Sequence, residues 1–153
     1  MSATLFNLPS TPRTWAAYAL LMAVLTWACF GNLRFHLLET HDFETFRDNA
    51  KVSADFGYFF SPEKEQASGR LLHEFAMWLF HLVVGPDPAA FHLLVVAMHF
   101  LASLLLARLF VRAGADLELG MLGGLLFLLN VAHFRAVHWF SGFNYVLAFA
   151  LAL

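Results

Sequence analysis

Two carboxylates one residue apart, in the stretch His41-Asp42-Phe43-Glu44, are the residues of this sequence best suited to chemistry. Hard divalent cations take oxygen ligands, so Asp42 and Glu44 together could hold one against a phosphate. The same carboxylates could act as general base toward a hydroxyl acceptor. Their plainer role is to belong to a solvated acidic loop, with Asp42 capping a short helix. The neighbourhood is mostly acidic: Glu39, Asp42, Glu44, Asp48, Asp55, Glu63 and Glu65 stand against Arg34, Arg47, Lys51 and Lys64.

A second group lies near the other end of the chain, where His133, Arg135 and His138 are joined by Ser141 and Asn144. A guanidinium flanked by imidazoles suits a phosphate or lipid headgroup, and Arg135 is the natural contact. The alternative is an ordinary interfacial cation beside Trp139. A third pair, His92 and His99, is seven residues apart and so shares one helix face. Neutral imidazoles in an apolar helix can be axial ligands of haem or (bacterio)chlorophyll, or can hydrogen-bond a neighbouring helix.

The elements that must carry these groups are apolar. Hydrophobic residues make up 60% of the 153, charged residues 13%, and the formal net charge is −2, with a mean hydropathy of +0.66. Soluble domains average roughly a quarter charged residues, so too little polar surface exists here to cover a water-soluble globule. The charge balance gives no reason to expect nucleic acid as a partner. Uncharged runs cover Thr14–Leu33, Pro88–Ala107, Leu119–Phe134 and Ala136–Leu153. A helix needs about 20 apolar residues to cross a bilayer. The expected fold is therefore an all-α integral membrane protein with about four transmembrane helices, at 14–32, 89–110, 119–134 and 136–153. The first run follows Arg13 but has no small-x-small cleavage site after it, so it reads as an uncleaved anchor rather than a signal peptide. Cys29, the single cysteine, lies within that run and has no partner in the chain for a disulfide.

Residues 33–69 are polar yet contain seven aromatics, too many for a disordered linker. Phe43, Phe46 and Ala50 fall at i, i+3 and i+7, the spacing of one helix face, which predicts a short helix in a folded outward loop lying on the bilayer surface. Between 70 and 85, Leu71, Phe75, Trp78 and Leu82 share one face with Leu72, Leu79 and Val83, while Arg70, His73, Glu74 and His81 occupy the opposite stripe. That pattern predicts an amphipathic helix lying in the membrane interface. Gly120, Gly123 and Gly124 would allow a neighbouring backbone to approach closely. Arg13, Arg108 and Arg112 place the N-terminus and the loop after the second span on the cytoplasmic side. Residues 33–69 and the corner at 133–142 then face outward.

The stretches Gly85-Pro86-Asp87-Pro88-Ala89-Ala90-Phe91-His92-Leu93, continuing to His99, and Asn130-Val131-Ala132-His133-Phe134-Arg135-Ala136-Val137-His138-Trp139-Phe140-Ser141-Gly142 carry a family resemblance. With the order span, acidic outward loop, interface helix, span, the chain resembles the N-terminal part of the GT-C superfamily. These are polyprenyl-phosphate-dependent, mannosyltransferase-like glycosyltransferases, and the likeness runs from about residue 15 to 153. Asn130-Val131 stands where the family commonly has His-Pro, Arg135 where an acidic residue is common, and Phe143 where arginine follows Ser-Gly. The resemblance implies that Asp42, with Glu44 second, is a catalytic or metal-associated carboxylate. It also implies a polyprenyl-phosphate sugar as donor.

Two readings follow. A chain that stops inside its fourth apolar run suits a shortened GT-C-like scaffold serving as a non-catalytic accessory subunit, packed against a larger photosynthetic or respiratory membrane complex. The alternative is the N-terminal part of a GT-C glycosyltransferase. No cofactor is assigned on the first reading, and a divalent cation on the second.

Overall fold

The computed structural model describes residues 10–35, 40–64, 70–130, 137–138 and 143–152. Their regular structure is helical throughout, and no strand occurs among the described residues. Helix α1 (Pro12–Phe30) begins as its sequence dictates: Thr14 N–H donates to the Thr11 hydroxyl at 3.2 Å, and Pro12 takes the first turn, where a missing N–H costs nothing. A 3₁₀ turn, Gly31–Phe35, extends it. Helix α2 (Thr40–Ala54) is followed by a second 3₁₀ turn, Phe56–Phe60, which is capped by Asp55 accepting from Gly57 N–H at 2.8 Å. Helix α3 (Leu71–Val84) ends at Gly85, whose φ of 70° lies in the left-handed region that favours glycine. Asp87 then caps α4 (Pro88–Arg112), accepting from Ala89 N–H at 3.0 Å. Helices α5 (Leu117–Leu129) and α6 (Phe143–Ala152) complete the described structure.

Two of these elements are long and apolar enough to cross a bilayer: Pro12–Leu33, with 22 residues, and α4, with 25. Helix α5 falls short of the expected span 119–134. It starts two residues earlier and stops where Asn130 adopts extended backbone. Its 13 residues rise roughly 20 Å, against about 30 Å of hydrocarbon. The expected span 136–153 lies partly outside the described residues. Within it Val137, His138 and α6 are helical.

Helix α4 is the organising element. It packs against α1, α5, α6 and the first 3₁₀ turn, and it buries Phe91, His92, Val95, Val96, His99, Ala102, Ser103 and Ala107. The α4–α5 contact depends on glycine. A Cβ on Gly124 would lie 2.6 Å from both the Ser103 carbonyl oxygen and the Tyr18 hydroxyl, and one on Gly120 would lie 2.9 Å from the Ala107 carbonyl oxygen. Two polar links cross the same seam. Tyr18 Oη donates to the Met121 carbonyl at 2.8 Å, tying α1 to α5, and His99 Nε2 donates to the Leu128 carbonyl at 3.2 Å. Around them Tyr18, Met22, Ala107 and Leu128 form one core cluster, while Phe46, Met77, Phe91 and Val95 form another where α2, α3 and α4 meet.

The surface of the bundle is apolar. Leu20, Leu21 and Val24 of α1, and Leu119, Leu122 and Leu126 of α5, are all at least half exposed or nearly so. The glycine seam makes a direct prediction. Gly124→Ala meets two oxygens that belong to rigid neighbours and is expected to destabilise the fold by about 1–3 kcal/mol. Gly123→Ala meets only the Phe110 ring, which is 42% exposed and can turn away, so its effect is smaller. Thermal unfolding in detergent ranks the two, and an unshifted midpoint for Gly124→Ala would refute the seam.

Candidate functional site

Several polar residues of α2 share one buried face. Asp42, Thr45, Asn49 and Val52 recur at i, i+3, i+7 and i+10, and all are buried, together with Phe46 and Asp48. Asp42 is 1% exposed, an unusual state for a carboxylate. This face is not the one that the apolar spacing marks. Of Phe43, Phe46 and Ala50, only Phe46 turns inward, while Phe43 is 58% exposed and Ala50 is exposed. Asp42 is also not a cap, because the helix already begins at Thr40. It sits in the first turn, where the helix dipole still favours a negative charge. The reason for the rotation is the partner. Helix α3 offers a polar stripe, and α2 turns its own polar face to meet it.

Helix α3 keeps the faces read from its sequence. Leu71, Leu72, Phe75, Leu79, Leu82 and Val83 are exposed, and Val83 reaches 79%. His73 and Met77 are buried against α2, and Glu74 and His81 are half-buried. Trp78 Nε1 donates to the Ser53 hydroxyl at 3.2 Å, and the Phe46 and Phe91 rings meet edge to face at 4.9 Å between centroids. These two contacts fix α3 to α2 and α2 to α4.

Between the polar faces lies a small hollow of about 40 Å³, lined by Thr45, Asp48, Asn49, Lys64, His73 and Glu74 over an apolar floor of Val52, Phe59 and Met77. Such a volume admits one or a few waters or a small polar group. Its rim is a hydrogen-bonded chain. Lys51 Nζ donates to Tyr58 Oη at 3.2 Å, and the single Tyr58 proton lies between Asp48 Oδ1 at 3.2 Å and the Glu63 carbonyl at 3.0 Å. Lys64 and Glu74 form an ion pair across the mouth, and the Lys64 ammonium stands 4.7 Å from the Phe59 ring centroid. The Asn49 amide nitrogen is buried with no hydrogen-bond acceptor among the described residues. Burial pushes His73 down from 6.5 to about 4; neighbouring Glu74 opposes that shift and Arg70 adds to it. Burial lowers His81 as well.

The other expected site residues are dispersed. Asp42 leads the buried face of α2, one turn before Thr45. Glu44 is half-buried and stands about 200° from Asp42 around the helix, so the two carboxylates do not converge on one cation. Among the described residues, no group of three or more His, Cys, Asp or Glu could hold a metal ion. His92 and His99 are both 1% exposed inside α4. His99 spends Nε2 on the Leu128 carbonyl and lies between the Phe30 and Phe127 rings, which is the helix-linking alternative to cofactor ligation. His133 and Arg135 lie outside the described residues, and His138 is helical and half-buried. The sequence reading missed Thr45, Asn49, Tyr58 and Lys64. The signal for the first two was present in the polar 3–4 spacing from Asp42 onward.

The hollow yields a pH prediction. Above pH 6.5 both folded and unfolded chains keep His73 neutral. Between about 6.5 and 4 the unfolded chain takes up a proton that the folded one refuses. Stability contributed at this residue is therefore present above pH 6.5 and is lost as pH falls toward 4. The melting temperature in detergent is expected to drop across that window, and His73→Gln to flatten the slope; equal slopes in both proteins would exclude His73 as the cause.

No protein-family model, curated protein or solved structure matches the chain.

Proposed function

We propose that this chain is a multi-pass membrane protein of GT-C type, taking part in sugar transfer from a polyprenyl-phosphate donor, with Asp42 as its working carboxylate. The observation that carries the reading is the burial of Asp42 at the head of a polar helix face, in a molecule whose outer surfaces are apolar. Carboxylates are almost never fully buried, so one at 1% exposure in a polar helix face marks a position where a charge or proton acceptor is held in place. On this reading α1 and α4 cross the bilayer, α5 packs against α4 within it, and α3 lies in the outward interface with its leucines toward lipid. The α2–α3 pair then sits at the outer membrane surface, where a lipid-linked phosphate and a polar acceptor can meet.

The chemistry needs no redox partner. The Asp42 carboxylate takes the proton of an acceptor hydroxyl, whose oxygen bonds to the anomeric carbon of the sugar. The bond from that carbon to the donor phosphate breaks, and the lipid phosphate leaves with the electron pair. Proton removal by a positioned carboxylate is worth roughly 10²–10⁴-fold in rate.

The accessory-subunit reading shares the membrane placement and differs in what the surfaces are for. On that reading both the close-packing glycines and the aromatic interface helix offer contact surface; Gly120, Gly123 and Gly124 face α4 and Tyr18 within the chain, while Leu71, Leu72, Phe75 and Val83 of α3 stay exposed. The exposed leucines of α1 and α5 remain available to either lipid or a partner subunit. The test is sugar transfer from a polyprenyl-phosphate donor in membranes containing the protein, compared with Asp42→Asn. A fall of roughly 10²–10⁴-fold is expected. Unchanged transfer in the variant would remove Asp42 from the role. No transfer at all, with stoichiometric co-purification of larger subunits, would favour the accessory reading.

A further inference from the structure

A second hollow, about 360 Å³, lies between α3 and α6, within the range of roughly 300–1,000 Å³ that small-molecule sites occupy. Leu71, Leu72, Leu147 and Leu151 give it long apolar walls. Its polar members are Arg70, His73 and Asn144, and no carboxylate lines it among the described residues. Arg70 and His73 also line the hollow between α2 and α3, so the apolar groove and the polar site open on the same corner. The Arg70 guanidinium is exposed and is steadied on the α6 side by the Tyr145 ring, with Cζ 5.5 Å from the ring centroid. The Asn144 side-chain oxygen is buried with no hydrogen-bond donor among the described residues, a state that native structures rarely tolerate without an unseen partner.

These observations point to one shape of ligand. The groove walls call for an acyl chain, Arg70 for a phosphate, and the Asn144 oxygen for a hydrogen-bond donor beside that phosphate. We propose that the α3–α6 groove holds one glycerophospholipid of the surrounding bilayer, chain along the leucines, phosphate on Arg70, and headgroup hydroxyl or ammonium donating to Asn144. A bare isoprenoid phosphate would satisfy the first two features and leave Asn144 unmet. The bound lipid seals the side of the polar hollow that α2 and α3 leave open at Arg70 and His73, so it acts as a structural wall of the site rather than as a substrate. The inference rests on the membrane reading given above.

Native mass spectrometry of the protein extracted in mild detergent is the test, with Arg70→Gln, Asn144→Leu and Leu147→Trp beside the parent. The parent is expected to retain one glycerophospholipid per chain. Each variant is expected to retain it at least about tenfold less, Leu147→Trp by filling the groove and the other two by removing headgroup contacts. Leu126→Trp, on the exposed face of α5, is the control and keeps the lipid. Equal retention in all five proteins means annular lipid and overturns the proposal, as does a bare parent or a retained isoprenoid phosphate. Asn144→Leu changes shape least and decides the matter if the other variants fail to fold. A protein that is released from membranes without detergent would instead overturn the membrane reading itself.

Discussion

Helix α3 places His73 inside at 8% exposure and Val83 outside at 79%, and that inversion governs how α2 and the turns beside it are arranged. A polar stripe turned away from solvent must find polar partners, because each buried group left unmet costs about 1–3 kcal/mol. Helix α2 supplies them. Thr45, Asp48 and Asn49 face the stripe, and Lys64 arrives from the following turn to neutralise Glu74. The direction of α2 is then set by Phe46, which sits on Phe91 and brings the pair down onto α4. A water-soluble helix hairpin would have the opposite arrangement, leucines between the helices and charges outside.

The α1, α4 and α5 bundle is held together by different means. Here the helices associate through close backbone approach and a few polar bridges, the mode of packing that small residues allow. Gly120 and Gly124 let α5 settle against the carbonyls of Ala107 and Ser103, and Tyr18 and His99 each donate across the seam. Two histidines that look like ligands in a list of residues thus have a mechanical explanation in at least one case. His99 locks α4 to α5.

Much of this was legible beforehand, for physical reasons that differ by element. The two long helices follow from length and hydropathy alone, and their boundaries fell within two residues of the expected 14–32 and 89–110. The faces of α3 were legible because its polar and apolar residues separate cleanly at helical period. The face of α2 was not, since two phenylalanines and an alanine at the same period competed with a polar set, and only the partner helix decides between them. The spacing of the two acidic residues misleads for a related reason. Asp42 and Glu44 are neighbours in sequence, but once the segment is helical from Thr40 their side chains diverge. Tyr58 and Lys64 were invisible because one sits in a 3₁₀ turn and the other in the irregular backbone after it, where no local periodicity encodes the path.

The corner between α3 and α4 has a mechanical meaning. Only Gly85, Pro86 and Asp87 separate the helices. Gly85 closes α3 through its N–H on the His81 carbonyl at 2.8 Å, and Asp87 and Pro88 open α4. Two of the four residues from 85 to 88 are prolines with fixed φ, so the connector has almost no slack. Helix α4 is 25 residues long, roughly 38 Å from end to end. Seated upright, it fixes the height at which α3 is carried, like a post supporting a shelf. The polar hollow is therefore held at one distance from the far end of α4, and whatever shifts that helix along its axis moves both together rather than pulling them apart.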